Sequence, residues 1–291
     1  MHHYLPAIGF KNINSRKKLS DLLQDAETSF THHELIAADE EIDLCEFSKE
    51  YGAGIGIAVF GDLDMEEYFE RQYYYPFFYG TGITSYEDVV IEKRIDRDAY
   101  IGICDDVKIG INLYFHLQNT MEYLREYQML GKSIRHSSVT LSALCNAGIV
   151  LLPVKKDDMQ EKQQKQEVEN RKLLVNAARM GDQQAIESLS LDDIDIYTKV
   201  SKRLVKEDIL SIVDTYFMPN GIECDTYSIL GTILEMNIIE NEYSGEELYI
   251  MKLDVNDLKF DLCVPVEHVI GEPAAGRRFK ADIWLQGRVN F

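Results

Sequence analysis

From Phe279 to Phe291 the side chains alternate between two faces almost without exception. One face carries Phe279, Ala281, Ile283, Leu285, Gly287, Val289 and Phe291; the other carries Lys280, Asp282, Trp284, Gln286, Arg288 and Asn290. Period two over that length predicts a long strand with one core-facing side. The only tryptophan of the 291-residue chain lies on the polar side.

Four further segments downstream of residue 207 read as strands: Ser211–Met218, Tyr227–Glu240, Glu246–Val255 and Lys259–Val264. Tyr243-Ser244-Gly245 and Asn256-Asp257 supply hairpin turns between them. Gly231 sits inside the longest of these strands, where glycine permits a sharp bend. Five strands with one long bent member predict a small β-barrel over 207–291, the OB-fold being the commonest kind.

Residues 1–154 mix the two periodicities. Ser15 to Ala26 reads as a capped amphipathic helix, and Gln118 to Gln128 as a second helix. Strands are expected at Ile55–Phe60, Glu67–Tyr79, Val89–Arg94, Tyr100–Leu117 and Ile149–Val154. The stretch between Tyr100 and Leu117 is broken by a two-residue turn at Asp105-Asp106, and Glu34–Ser48 has no assignable state. Consecutive strands with helices at their edges predict an α+β domain built on a mostly antiparallel sheet with flanking helices. Between Lys155 and Arg171 the only strongly apolar residues are Met159 and Val168. That composition predicts an exposed connector. Short helices then follow to about Val205, with Gly181 closing one and Asp182 capping the next. The expected division is an α+β domain at 1–154, a helical connector at 155–206 and a barrel at 207–291.

Net charge is −20. Residues 1–154 hold 13 basic and 24 acidic groups, and 211–291 hold 6 and 14. An acidic surface repels phosphate backbones and anionic lipids, so nucleic acid and membranes are poor partner expectations. No apolar run approaches the roughly 18 residues of a membrane span, and the N-terminus lacks the pattern of a secretory signal. Cys45, Cys104, Cys145, Cys224 and Cys263 are odd in number and scattered, which predicts free thiols in a reducing cytoplasm.

Trp284, with Lys280, Gln286 and Arg288 on the same face, is the candidate ligand platform. The competing reading packs Trp284 against the connector or the first domain, and this is the favoured one. The aromatic run Tyr73–Tyr79 reads as a strand held between a core and a covering helix. Gly52–Gly56 precedes a strand rather than opening a helix, so it is a turn and not a nucleotide loop. Asp62, Asp64 and Glu66 open like a calcium loop, but Glu67 stands where glycine is required. Neither Cys104 with His116 nor the His2-His3 and His32-His33 pairs has the spacing of a catalytic or metal site. No cofactor and no metal is expected.

Three stretches carry a resemblance: Gly102–Gly110 with Phe115–Asn119; Ile212–Gly231; and Gly276–Phe279 with Ile283–Gly287. Together they resemble an uncharacterised family of Gram-positive anaerobes, domain-of-unknown-function family 3881. The resemblance covers the whole chain. It implies a bacterial cytoplasmic protein and brings no activity, cofactor or catalytic residue.

The leading functional expectation is a non-enzymatic binding or adaptor protein recognising a protein or small ligand. The alternatives are an enzyme using Asp214, Glu223 and Asp225 around the Pro219–Gly221 turn, and nucleic-acid binding through Arg277, Arg278, Lys280 and Arg288.

Overall fold

The computed structural model describes residues 1–37, 42–95, 99–106, 111–131, 138–154 and 209–291, with short pieces between 166 and 191. Most of the expected connector therefore lies outside the described residues, including the helix expected up to about Val205. Within the described pieces, 173–178 and 183–189 are helical. Asp182 caps the second piece by accepting from the Gln184 and Ala185 amides.

Helix α1 (Arg16–Thr28) opens at Ser15, whose hydroxyl accepts from the Lys18 amide. Its apolar stripe, Leu22, Leu23 and Ala26, is buried. It covers one face of a four-stranded antiparallel sheet formed in chain order by β1 (His32–Ala37), β2 (Ile42–Glu50), β3 (Ile55–Asp64) and β4 (Phe69–Phe78). The region that sequence left unassigned, Glu34–Ser48, is thus the β1–β2 part of this sheet. The aromatic strand β4 buries Tyr75, Phe77 and Phe78, but α1 packs mainly on β2 and β3 rather than over β4, where a covering helix was expected.

The second sheet closes on itself. Strands β8 (Ser138–Leu151), β12 (Leu258–Pro265), β11 (Glu247–Val255), β10 (Thr226–Glu240) and β14 (Arg278–Asn290) form a ring in that order, and β14 returns to β8. All neighbours are antiparallel except β8 and β12. A small barrel is therefore present, but it does not close within 207–291. Its fifth strand comes from residues 138–151, where only a short strand at the end was expected. The segment 211–218 instead starts with a helical turn at Ile209–Ile212. It continues as β9 (Tyr216–Pro219), which pairs with β10 outside the ring. Small residues in β8 disguised it: Ser138, Ser142, Ala143, Ala147 and Gly148 lower its apolar contrast.

The alternation of β14 is realised as written. Phe279, Ala281, Ile283, Leu285 and Val289 point into the barrel and join Leu141, Ala143, Cys145, Ile229, Leu253 and Phe260 in its core. Gly231 serves close approach, since a Cβ there would lie 2.7 Å from the Asp254 carbonyl oxygen. The bend falls just beyond it, where a register shift between Ile233 and Glu235 reverses the alternation of β10.

The edge of β14 that β10 leaves after Trp284 is taken over at Gln286 and Gly287 by β7 (Leu113–Leu117). Strands β6 (Tyr100–Cys104) and β5 (Val89–Lys93) extend this wing. The expected turn at Asp105-Asp106 leads into 107–110, which lie outside the described residues, and β7 starts at Leu113. Asp106 is buried there and accepts from the Ser85 hydroxyl. Helix α2 (Thr120–Leu130) follows β7, and the two-residue strand β13 (Val269–Ile270) pairs with β8.

All five cysteines are free, and only Cys224 is exposed. Burial pushes the Cys45, Cys104 and Cys145 thiols up to about 12, 11 and 12. Cys104 belongs to the barrel-side core, whereas His116 packs on Tyr75 and Trp284.

Candidate functional site

The outer face of the barrel carries one continuous row of polar side chains. Strand register places Glu235 opposite Lys252, Lys252 opposite Asp261, Asp261 opposite Ser142, Ser142 opposite Gln286 and Gln286 opposite His116. Paired residues on adjacent strands point to the same side, so these six residues form a band across six strands. The β10 bulge is what brings Glu235 outward to start it.

The end of β4 crosses the middle of this band and is held by it. Gln286 donates to the Pro76 carbonyl at 2.8 Å and accepts from the Phe78 amide at 3.1 Å. The Phe78 carbonyl accepts from Gln118 at 2.9 Å and from the Ser142 hydroxyl at 2.5 Å. Asp261 accepts from the Thr81 amide at 2.7 Å and from its hydroxyl at 2.6 Å. Gln286, Ser142 and Asp261 are all buried. A β4 backbone covered by the barrel would otherwise lose its solvent partners, and these side chains replace them.

Beyond Thr81 the band is bare. Glu235 is exposed and Lys252 half-buried. Neither makes an ion pair or side-chain hydrogen bond among the described residues. With Asn237, Ile239, Ile250 and Tyr79 they line a cleft of about 210 Å³ between the barrel and the β4 end. That is room for roughly seven waters at about 30 Å³ each. A second cavity, of about 40 Å³ near Tyr73 and Tyr100, holds little more than one.

The four platform residues on β14 do not share an open surface. Trp284 is 5% exposed. Tyr4 stacks on it at 5.6 Å, and His2 and His116 tilt against it at 4.7 and 5.2 Å. Its indole N–H donates to Asp225 at 2.9 Å. The tryptophan is thus covered by the N-terminal segment and by His116 of β7. Gln286 is fully buried in the β4 ladder. Lys280 is half-buried. Arg288 lies over the Tyr79 ring at 5.1 Å with Glu122 at 3.9 Å.

Of the three acids named as an alternative site, two converge. Glu223 and Asp225 both meet Arg94, at 2.5 and 3.5 Å. Burial pushes the Asp225 carboxyl above the ordinary aspartate range, and the Trp284 N–H and Arg94 partly offset this. Three of the four basic residues of the nucleic-acid reading, Arg277, Arg278 and Arg288, are also engaged. Arg278 is buried and donates to the Leu152 and Val213 carbonyls, and Arg277 pairs with Glu272. Among the described residues no group of three His, Cys, Asp or Glu could hold a metal ion.

Residues 5–287 match the family described as "Domain of unknown function, E. rectale gene description (DUF3881)". This chain belongs to DUF3881. No curated protein and no solved structure matches it. The matched span contains both sheets of the DUF3881 chain, apart from the last three residues of β14, and the whole polar band. The cleft was legible in principle. Once β10, β11 and β12 are in register, Glu235, Lys252 and Asp261 fall in one row, but the bulge that aligns Glu235 leaves no signal in the residue pattern.

Proposed function

We propose that this DUF3881 protein is a cytoplasmic, non-enzymatic binding protein that holds a small ligand in the cleft on β10, β11 and β12. The bare end of the polar band carries this reading. Its buried half already binds a backbone through side chains of the same row, while Lys252 and Glu235 stand unpartnered beside it.

We read the barrel as OB-like. The ring β10-β11-β12-β8-β14, with its one parallel pair between β12 and β8, is the order expected of an OB barrel whose closing strand comes first in the chain. OB barrels bind ligands on the face of their second and third strands. In this ring those are β11 and β12, which floor the cleft.

The carboxylate alternative draws support from the buried Asp225, but both converging acids already spend oxygens on Arg94 and Trp284. That arrangement favours a clamp. Membranes and nucleic acid remain poor partners on charge.

Native mass spectrometry of the protein purified from its own cell tests the cleft. Wild type is expected to carry a bound mass that a cleft-filling Ile250→Trp variant lacks. The same mass on both proteins, or none on either, would overturn the reading.

A further inference from the structure

Lys252 is bracketed in register by two acids, Glu235 on β10 and Asp261 on β12. Asp261 is buried and occupied by Thr81. The charges left for a ligand are therefore one ammonium and one carboxylate on adjacent strands, about 4.8 Å apart in the sheet. Although they are paired in register, Lys252 and Glu235 do not close on each other within 4.0 Å.

A simple anion reaching Lys252 would meet a carboxylate on either side, in a chain of net charge −20. A simple cation reaching Glu235 would meet Lys252. A molecule carrying both charges close together satisfies both partners and brings no net charge. One row along the strands, about 7 Å away on the same face, Ile250 stands opposite Asn237, and Ile239 lies one row beyond Asn237; at these two isoleucines the lining turns apolar. A substituent next to the two charged groups would rest there.

We propose that the cleft binds an apolar α-amino acid, its carboxylate on Lys252, its ammonium on Glu235 and its side chain against Ile250 and Ile239. The inference rests on the cleft reading above and adds the ligand class. Free volume of about 210 Å³ suits a molecule of that size.

Isothermal titration of the full chain with L-valine, L-leucine and L-phenylalanine tests it. Two analogues of leucine each lack one charge: 3-methylbutylamine has no carboxylate and 4-methylpentanoate has no ammonium. At least one amino acid is expected to bind, and both analogues to bind about tenfold more weakly or worse, since each lost charged contact is worth roughly 1.5–3 kcal/mol. Lys252→Met and Glu235→Gln should each weaken binding by about tenfold or more. Lys17→Met, a change on α1, which contributes nothing to the cleft lining, should not. Thermal midpoints of the variants near that of wild type would show that the fold is intact. Equal affinity for 4-methylpentanoate would make this an anion site and overturn the amino-acid assignment, while leaving the cleft reading standing. Binding unaffected by either cleft variant, or no binding by any of the three amino acids, would also overturn it. Whether the cleft is used at all is decided separately by the bound mass on wild type and on Ile250→Trp.

Discussion

Trp284 donates its indole N–H to the Asp225 carboxylate at 2.9 Å, at the fork where β14 passes from β10 to β7. The Leu285 amide donates to the Asp225 carbonyl at the same point. From the barrel side, the Tyr227 hydroxyl accepts from the Tyr114 amide and donates to its carbonyl. Side-chain bonds thus bridge a place where the strand ladder divides. Trp284→Ala removes a buried ring and leaves Arg94 as the remaining side-chain partner of the Asp225 carboxylate, so it should cost about 3–5 kcal/mol in chemical denaturation. Trp284→Phe keeps most of the packing and should cost about 1–3 kcal/mol for the unmet acceptor. Tryptophan emission of the intact protein should be blue-shifted. A loss below about 0.5 kcal/mol for the alanine variant, the range of a neutral surface change, would contradict the burial described here.

A fragment of residues 207–291 should not fold. It contains four of the five barrel strands, and β14 would lose its pairing with β8 from Arg278 to Asn290. Exposed edges and the loss of nine of the 25 described buried residues of the barrel core leave little to offset chain entropy. The fragment's amide spectrum should lack dispersion. Proteolysis of the whole chain within 155–206 should instead give two pieces that co-elute in size exclusion, because β8 remains in the ring. Separate elution of two folded pieces would show that the barrel closes without β8.

What was legible followed from periodicity and turn chemistry. The β14 alternation, the aromatic strand β4, the Ser15 cap and the Asn256-Asp257 turn, with φ of 53° and 64°, each carry a local physical signature. The fifth barrel strand did not. Its barrel-facing residues alternate with Ser142 and Asn146, and Gly148 lies where the Phe279 ring crosses it, 2.1 Å from where a Cβ would sit. Such a strand is specified by its neighbours rather than by its own composition. A large aromatic on a polar face such as Trp284 needs a cover, yet nothing local in the sequence points to His2 and Tyr4 as that cover. The cleft depends on register across three strands and on one bulge, both of which are tertiary.

Gln286→Ala should destabilise more than its polarity suggests. The change leaves the Phe78 amide and the Pro76 carbonyl buried and unmet, at about 1–3 kcal/mol per group. A total of about 2–4 kcal/mol is expected, with faster hydrogen exchange at the Phe78 amide. Exchange at that amide unchanged from wild type would mean that β4 does not rely on the ladder.

Glu46 should make the protein less stable as pH rises. It lies on β2, 8% exposed, with the Ser48 hydroxyl donating to it at 2.9 Å. Burial pushes its carboxyl up to about 8 from the ordinary 4.5; Ser48 and the more distant Arg288 lower it, and Glu34 on the neighbouring strand raises it further. Between these two values the folded chain keeps a proton that the unfolded chain has released. Folding therefore binds a proton, and stability falls with rising pH. The contribution is complete below about 4.5 and is lost as pH passes through about 8. The full span corresponds to roughly 3–5 kcal/mol at about 1.4 kcal/mol per pH unit. Glu46→Gln keeps the neutral form at every pH. Its stability relative to wild type should grow from near zero at pH 4.5 to several kcal/mol at pH 9, read from denaturation midpoints across the series. A constant difference between the two proteins over that range would show that Glu46 ionises normally in the folded state.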